Sequence, residues 1–203
     1  MADTLLSKGE RTRLTVMEAA YELFLEHGYA ATSMRQVADR AGIALGSIYN
    51  HFAGKEAIFR ELILERHPYR TILPIILNTP ADDPELFVRS AARTMVDGLG
   101  KHPDFIKLML IEIVEFNGRN MPEIVEQVLP QVLPLIQKFN SDQGLLRKLP
   151  PFVFFRAFLG LFFSYYITEL MFSGVSSNLI QKNTLDHFVE IFLHGVLSEK
   201  ELA

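Results

Sequence analysis

The stretch from Thr32 to Glu56, TSMRQVADRAGIALGSIYNHFAGKE, admits few folds. Ser33 precedes Gln36 by three residues, the spacing at which two side chains cap each other's backbone at a helix start. Val37, Ala38 and Ala41 then recur on one helical face. Gly42 follows, able to take the left-handed conformation that ends a helix. A second short helix is expected from near Leu45, with Ile48 and Phe52 one turn apart. Gly54 breaks it, and Lys55-Glu56 open a further amphipathic run. Two short helices across a glycine turn form a helix-turn-helix, which can set its second helix in a DNA major groove.

The run GYAATSMRQVADRAGIALGSIYNHFAGKEAIF resembles the DNA-binding domain of the tetracycline-repressor (TetR) family of bacterial transcription regulators. The resemblance rests on Gly28-Tyr29, Thr32-Ser33, Val37-Ala38, Ala41-Gly42-Ile43, Gly46, Tyr49, His51-Phe52 and Lys55-Glu56 in fixed order. It implies DNA contacts at Thr32, Arg35, Leu45, Gly46, Ser47, Tyr49, His51 and Lys55. The residues themselves favour a similar set. Ala44, Leu45, Gly46, Ser47, Tyr49 and Asn50 make up the first turn and outer face of a recognition helix. Ser47 and Asn50 can hydrogen-bond base edges, and Leu45 can touch a thymine methyl group. Ser33, Arg35, Tyr49, His51 and Lys55 are candidates for phosphate. Each has a structural alternative: Ser33 as a cap, Arg35 as a solvated charge, Tyr49 and His51 as packing groups. The chain departs from the family pattern at Ala44, where a capping serine is common, and at Leu45, where a polar or basic residue is common.

Helical periodicity runs through the whole chain, and no segment alternates as a strand does. The expected fold is all-α: a three-helix head at 1–54, then a helical body at 55–203 with 55–66 as connector, about nine helices altogether. Residues 1–9 read as a loose arm whose Lys8, with Arg11 and Arg13 beyond it, could touch a DNA backbone or equally be an ordinary solvated start. From Glu10 to His27, Val16, Ala20, Leu23 and Phe24 share a face that should bury Val37, Ile48 and Phe52. Ile58, Phe59, Leu62 and Ile63 form the inner face of the connector. His67-Pro68 marks its end or a kink. Pro84 suits the first turn of a helix running to Gly100, and His102-Pro103 opens another that Asn117-Gly118 stops. A helix from Pro122 should bend or break at Pro130 and Pro134. Residues 140–149 read as a connection.

Residues 150–172 are the most apolar stretch, PPFVFFRAFLGLFFSYYITELMF. Arg156 and Glu169 leave twelve uncharged residues between them, too few for a bilayer, so no membrane partner is expected. A helix apolar on most sides must be covered on most sides. The last helix, 184–198 with Asn183 as cap, adds a stripe of Leu185, Phe188, Val189, Phe192, Leu193 and Val196. Together they predict a homodimer built as a four-helix bundle through 150–172 and 184–198, and the resemblance implies the same; the alternative is that both helices are plain core, which predicts a monomer.

The resemblance also implies a small-molecule effector in the body. Sixteen phenylalanines favour an apolar or aromatic one. The candidate lining is Met109, Ile113, Phe116, Phe158, Phe162, Tyr165, Tyr166 and Met171, with Glu112 as polar anchor. Core or interface packing is the alternative for each. No nucleophile, phosphate-loop or zinc-protease pattern occurs, so no enzyme, cofactor or metal is expected. His187 and His194 lie seven apart on one helix and read as structural. The absence of cysteine fits a reducing cytoplasm. Residues 1–70 carry nine Lys/Arg and nine Asp/Glu, whereas residues 71–203 carry eleven and fifteen, so only the front end escapes net negative charge. The expected function is a ligand-responsive, sequence-specific transcriptional regulator, a repressor released from a palindromic operator. The alternative is a DNA-binding architectural protein without an effector.

Overall fold

A computed structural model describes residues 7–80, 82–141, 149–172 and 184–196. Ten helices occur among these: α1 (Lys8–His27), α2 (Met34–Ala41), α3 (Leu45–Ile48), α4 (Lys55–Glu65), α5 (Tyr69–Leu77), α6 (Pro84–Gly100), α7 (Phe105–Phe116), α8 (Met121–Ser141), α9 (Pro151–Phe172) and α10 (Thr184–Val196). Residues 1–6 of the expected arm, most of the 140–149 connection, the Asn183 cap and the last two residues of the 184–198 helix lie outside the described residues. The chain divides into two compact units. One comprises Met1–His67 with Pro103–Ile124, the other Pro68–His102 with Val125–Ala203.

In the first unit, α1 begins earlier than expected. Ser7 accepts from the Glu10 backbone N–H, and the Glu10 carboxylate accepts from the Ser7 N–H at 2.7 Å. This reciprocal cap makes Lys8 helical rather than part of an arm. Val16, Ala20, Leu23 and Phe24 are buried with Val37, Ile48 and Phe52, the three-helix core expected of the head. Ile58, Phe59, Leu62 and Ile63 of α4 are fully buried. Phe59 stacks on Phe116 of α7, ring centroids 4.7 Å apart and nearly parallel, and Tyr29 meets both rings edge-on. Three ion pairs, Arg66–Glu18, Arg60–Glu123 and Arg119–Glu56, run along the surface of this unit. His67-Pro68 is a break, with a separate helix, α5, beyond it.

In the second unit, Asp83 caps α6 by accepting from Glu85 N and Leu86 N, with Pro84 at the first helical position as expected. Gly98 brings α6 so close to α5 that a Cβ there would lie 2.4 Å from Ile72 Cγ1. Helix α8 runs through Pro130 and Pro134 without breaking. Both prolines are exposed, four residues apart on one stripe, so the carbonyls they deprive of a donor face water. Val128, Val132 and Ile136 bury the opposite stripe and hold the helix together. Helix α9 lays one face on α10: Phe154, Phe158 and Phe162 all pack on Phe192, and Tyr165 on Phe188. Arg89–Glu190 and Arg93–Asp186 tie α6 to α10. Several apolar side chains of α9 are exposed, including Phe152, Val153, Leu159, Leu170, Met171 and Phe172, and so is Ile191 of α10. Among the described residues α9 is the helix long and apolar enough to cross a membrane by length and composition, its Arg156 and Glu169 notwithstanding.

Candidate nucleic-acid interface

The helix-turn-helix is assembled by local caps. Ser33 Oγ accepts from Gln36 N at 3.3 Å, and Gln36 Oε1 accepts from Ser33 N at 2.7 Å, the reciprocal box expected from the spacing. Gly42 takes φ 69°, ψ 30°, a left-handed stop open to glycine at little cost. Helix α3 is a single turn without a side-chain cap at Ala44. Its helical bonding continues as Asn50 N to Ser47 O and as His51 N and Phe52 N to Ile48 O.

These caps leave an outward face on α3. Gly46, Tyr49 and Asn50 are exposed, with Tyr49 at 53%, whereas Leu45, Ser47 and His51 are half-buried. A Cβ at Gly46 would meet nothing, so no neighbour in the protein occupies the space beside it. Ser33 and Arg35 are exposed at the start of α2. Ser33, Arg35, Gly46, Tyr49 and Asn50 are thus all exposed within a short stretch of chain.

Two of the expected DNA contacts are placed differently. Thr32 is buried, its hydroxyl donating to Gly28 O at 2.8 Å and Leu23 O at 3.3 Å, so its side chain ties α1 to the loop before α2 instead of facing outward. Lys55 points its ammonium at Tyr29 O (2.5 Å) and Thr32 O (2.7 Å), 4.1 Å from the Tyr29 ring centroid. Loss of water around it lowers the Lys55 pKa, and the same cause raises that of Tyr29. Lys55 thus braces the loop that presents Ser33, and a phosphate would share it with two carbonyls.

The effector candidates do not assemble in one unit. Met109, Glu112, Ile113 and Phe116 lie on α7 in the first; Phe158, Phe162, Tyr165, Tyr166 and Met171 lie on α9 in the second. Glu112 is not a free anchor. It is fully buried, and its two oxygens accept from Asn120 N and Asn120 Nδ2, both at 2.7 Å. Phe116 is buried in the aromatic stack with Phe59 and Tyr29. Ile113 and Met171 are exposed, Met109 and Phe158 half-buried, and Phe162, Tyr165 and Tyr166 buried.

Arg13, which with Lys8 and Arg11 could by sequence either touch a DNA backbone or be an ordinary solvated charge, takes protein partners instead. Its Nε donates to Glu61 Oε1 at 2.7 Å, its Nη2 pairs with Glu61 Oε2, and its Nη1 donates to His51 O at 2.9 Å. Its partners are 48 and 38 residues away, so no local pattern announces them.

The sequence profile of bacterial regulatory proteins of the tetR family matches residues 16–62, which hold the second part of α1, all of α2 and α3, and most of α4. The probable acrEF/envCD operon repressor of Escherichia coli (strain K12) is 32% identical over 151 residues, covering 71% of this chain and 69% of that protein. Of other curated relatives, the chain spans 42% of one, 33% of another and, at 21% identity, 98% of a third. Among solved structures, NalD of Pseudomonas aeruginosa, the secondary repressor of the MexAB-OprM multidrug efflux pump, superposes with a TM-score of 0.66 at 23% identity, over 95% of this chain and all of that one. The regulator FadR of Bacillus subtilis in complex with stearoyl-CoA superposes with a TM-score of 0.66 at 18% identity, over 90% and 98%. The likeness to both structures is one of fold.

Proposed function

Because the chain belongs to the TetR family of bacterial transcription regulators, a family of DNA-binding proteins that are not enzymes, we propose that it is a dimeric repressor that a small molecule releases from a palindromic operator. The head, 1–54, reads DNA through α3; the body, 55–203, pairs two copies and takes the effector, with 55–66 connecting them. Ser47 and Asn50 contact base edges. Ser33, Arg35, Tyr49, His51 and Lys55 contact phosphate, and Leu45 and Gly46 allow close approach.

The observation that carries this reading is the set of apolar side chains that α9 exposes among the described residues. Phe154, Phe158 and Phe162 are used against α10, yet Phe152, Leu159, Met171 and Phe172 remain exposed on the same helix. An apolar face of this extent needs a partner, and a second copy supplies the same face by symmetry. Two joined copies then present two α3 turns to successive major grooves about 34–36 Å apart. An effector that binds one dimer shape better than another shifts that spacing and weakens DNA binding. The abundance of phenylalanine in the body favours an apolar or aromatic molecule, and a structural relative that holds stearoyl-CoA supports a long apolar ligand. Such a regulator works in the cytoplasm, where the chromosome is.

Fluorescence anisotropy across a randomised duplex pool, with sedimentation of the free protein, tests the proposal. The expected result is a dimer at micromolar concentration that enriches a two-fold symmetric duplex. A monomer, or an absence of saturable, salt-sensitive binding, would sink it. Operator binding indifferent to a library of apolar and aromatic metabolites would favour the effector-free architectural reading.

A further inference from the structure

We infer that Arg13 positions the recognition helix: locked to Glu61, its guanidinium holds the chain where it leaves α3, and so aims Ser47 and Asn50 at base edges without touching DNA itself. The inference rests on α3 being the element that reads DNA.

A four-residue helix cannot hold its own orientation. One turn is costly to form, and α3 has no side-chain cap at Ala44. Its pose must come from tertiary contacts. Ile48 and Phe52 supply the apolar part, both buried. Arg13 supplies the polar part. One planar group donates to both oxygens of Glu61 on α4, donates to His51 O at 2.9 Å, and sits with its Cζ 4.4 Å from the Phe52 ring centroid. It thereby joins α1, α4 and the exit of α3 at one point. The carboxylate fork also offsets its charge, so a phosphate would compete with a bidentate partner already in place. Lys8, Arg11 and Arg35 are exposed and better disposed to meet a backbone. Lysine cannot take the place of Arg13, because an ammonium lacks the planar fork that serves Glu61 and His51 together.

The test uses full-length wild type, Arg13→Ala, Arg13→Lys and Glu61→Gln. Each is titrated by anisotropy against two duplexes of equal length, one enriched by the wild type from a randomised pool and one a shuffled version of it, at several salt concentrations. Hydrogen exchange is followed in parallel. Arg13→Ala and Glu61→Gln should lose tenfold or more on the enriched duplex and less than about twofold on the shuffled one, with an unchanged salt slope. Arg13→Lys should recover little. The amides of His51 and Phe52 should exchange faster in the variants while those of 58–63 keep wild-type protection, which separates local release from unfolding. Should Arg13→Ala fail to fold, the near-isosteric Glu61→Gln carries the test. Equal losses on both duplexes, with the salt slope reduced by about one, would make Arg13 a phosphate contact and overturn the inference. Wild-type discrimination in every variant would overturn it too. A wild-type protein that enriches no duplex would instead overturn the regulator reading beneath it.

Discussion

Replacing Glu112 separates a structural role from an effector role. Its carboxylate is fully buried at the end of α7 and accepts from Asn120 N and Nδ2, both at 2.7 Å. These bonds close the turn between α7 and α8, where Asn117 (φ 52°) and Gly118 (φ 74°) are both left-handed. Glu112→Ala leaves two buried donors without an acceptor. A hydrogen bond to a charged group contributes about 1.5–3 kcal/mol, so two are worth roughly 3–6. Relief from burying a carboxylate offsets part of this, leaving a net loss of about 3 kcal/mol. For a chain of this length that lowers Tm by roughly 6–12 °C. Glu112→Gln should cost only about 1 kcal/mol, since a flipped Asn120 amide can accept from the new NH2 while Asn120 N keeps its acceptor. Thermal unfolding at one fixed protein concentration measures both, because self-association makes Tm concentration-dependent. If Glu112→Ala left Tm within about 1 °C of wild type while abolishing the response to an effector, the structural reasoning would be wrong and Glu112 would be a ligand anchor.

Three further outcomes follow from the packing and the charges. Burial holds the imidazole of His67, edge-on to Phe105 at 4.7 Å, down at about 4 from its ordinary 6.5. The unfolded chain therefore takes up this proton first as pH falls, and stability should decline between pH 6.5 and 4 by up to about 2–3 kcal/mol; in His67→Asn a melting series across that range should lose this part of the slope. Gly98→Ala places a Cβ 2.4 Å from Ile72 Cγ1 and 2.6 Å from Cδ1; overpacking should cost about 1–3 kcal/mol by urea unfolding, and Ile72→Ala in the same chain should return part of it. Tyr49→Phe should weaken binding to every duplex alike, whereas Ser47→Ala should change base preference in a selection from a randomised pool; the reverse pattern would exchange their roles.

What sequence alone determined lies within a few residues along the chain. The Ser33–Gln36 box, the Gly42 stop, the Asp83-Pro84 start and the Asn117-Gly118 turn were all legible, because a helix end is closed by groups only a few positions away along the chain. The Ser7–Glu10 box has the same spacing and was equally readable, so placing 7–9 in a loose arm overlooked a local signal. The buried faces of α1, α2 and α4 followed from helical period. Tertiary structure decided the rest. Pro130 and Pro134 leave α8 whole because Val128, Val132 and Ile136 are held on its other side. Thr32 turns inward, Lys55 seeks loop carbonyls, Arg13 finds Glu61 across 48 residues, and Glu112 closes a turn. A polar side chain goes to whichever partner folding brings within about 3 Å, and residue type carries no record of that neighbour.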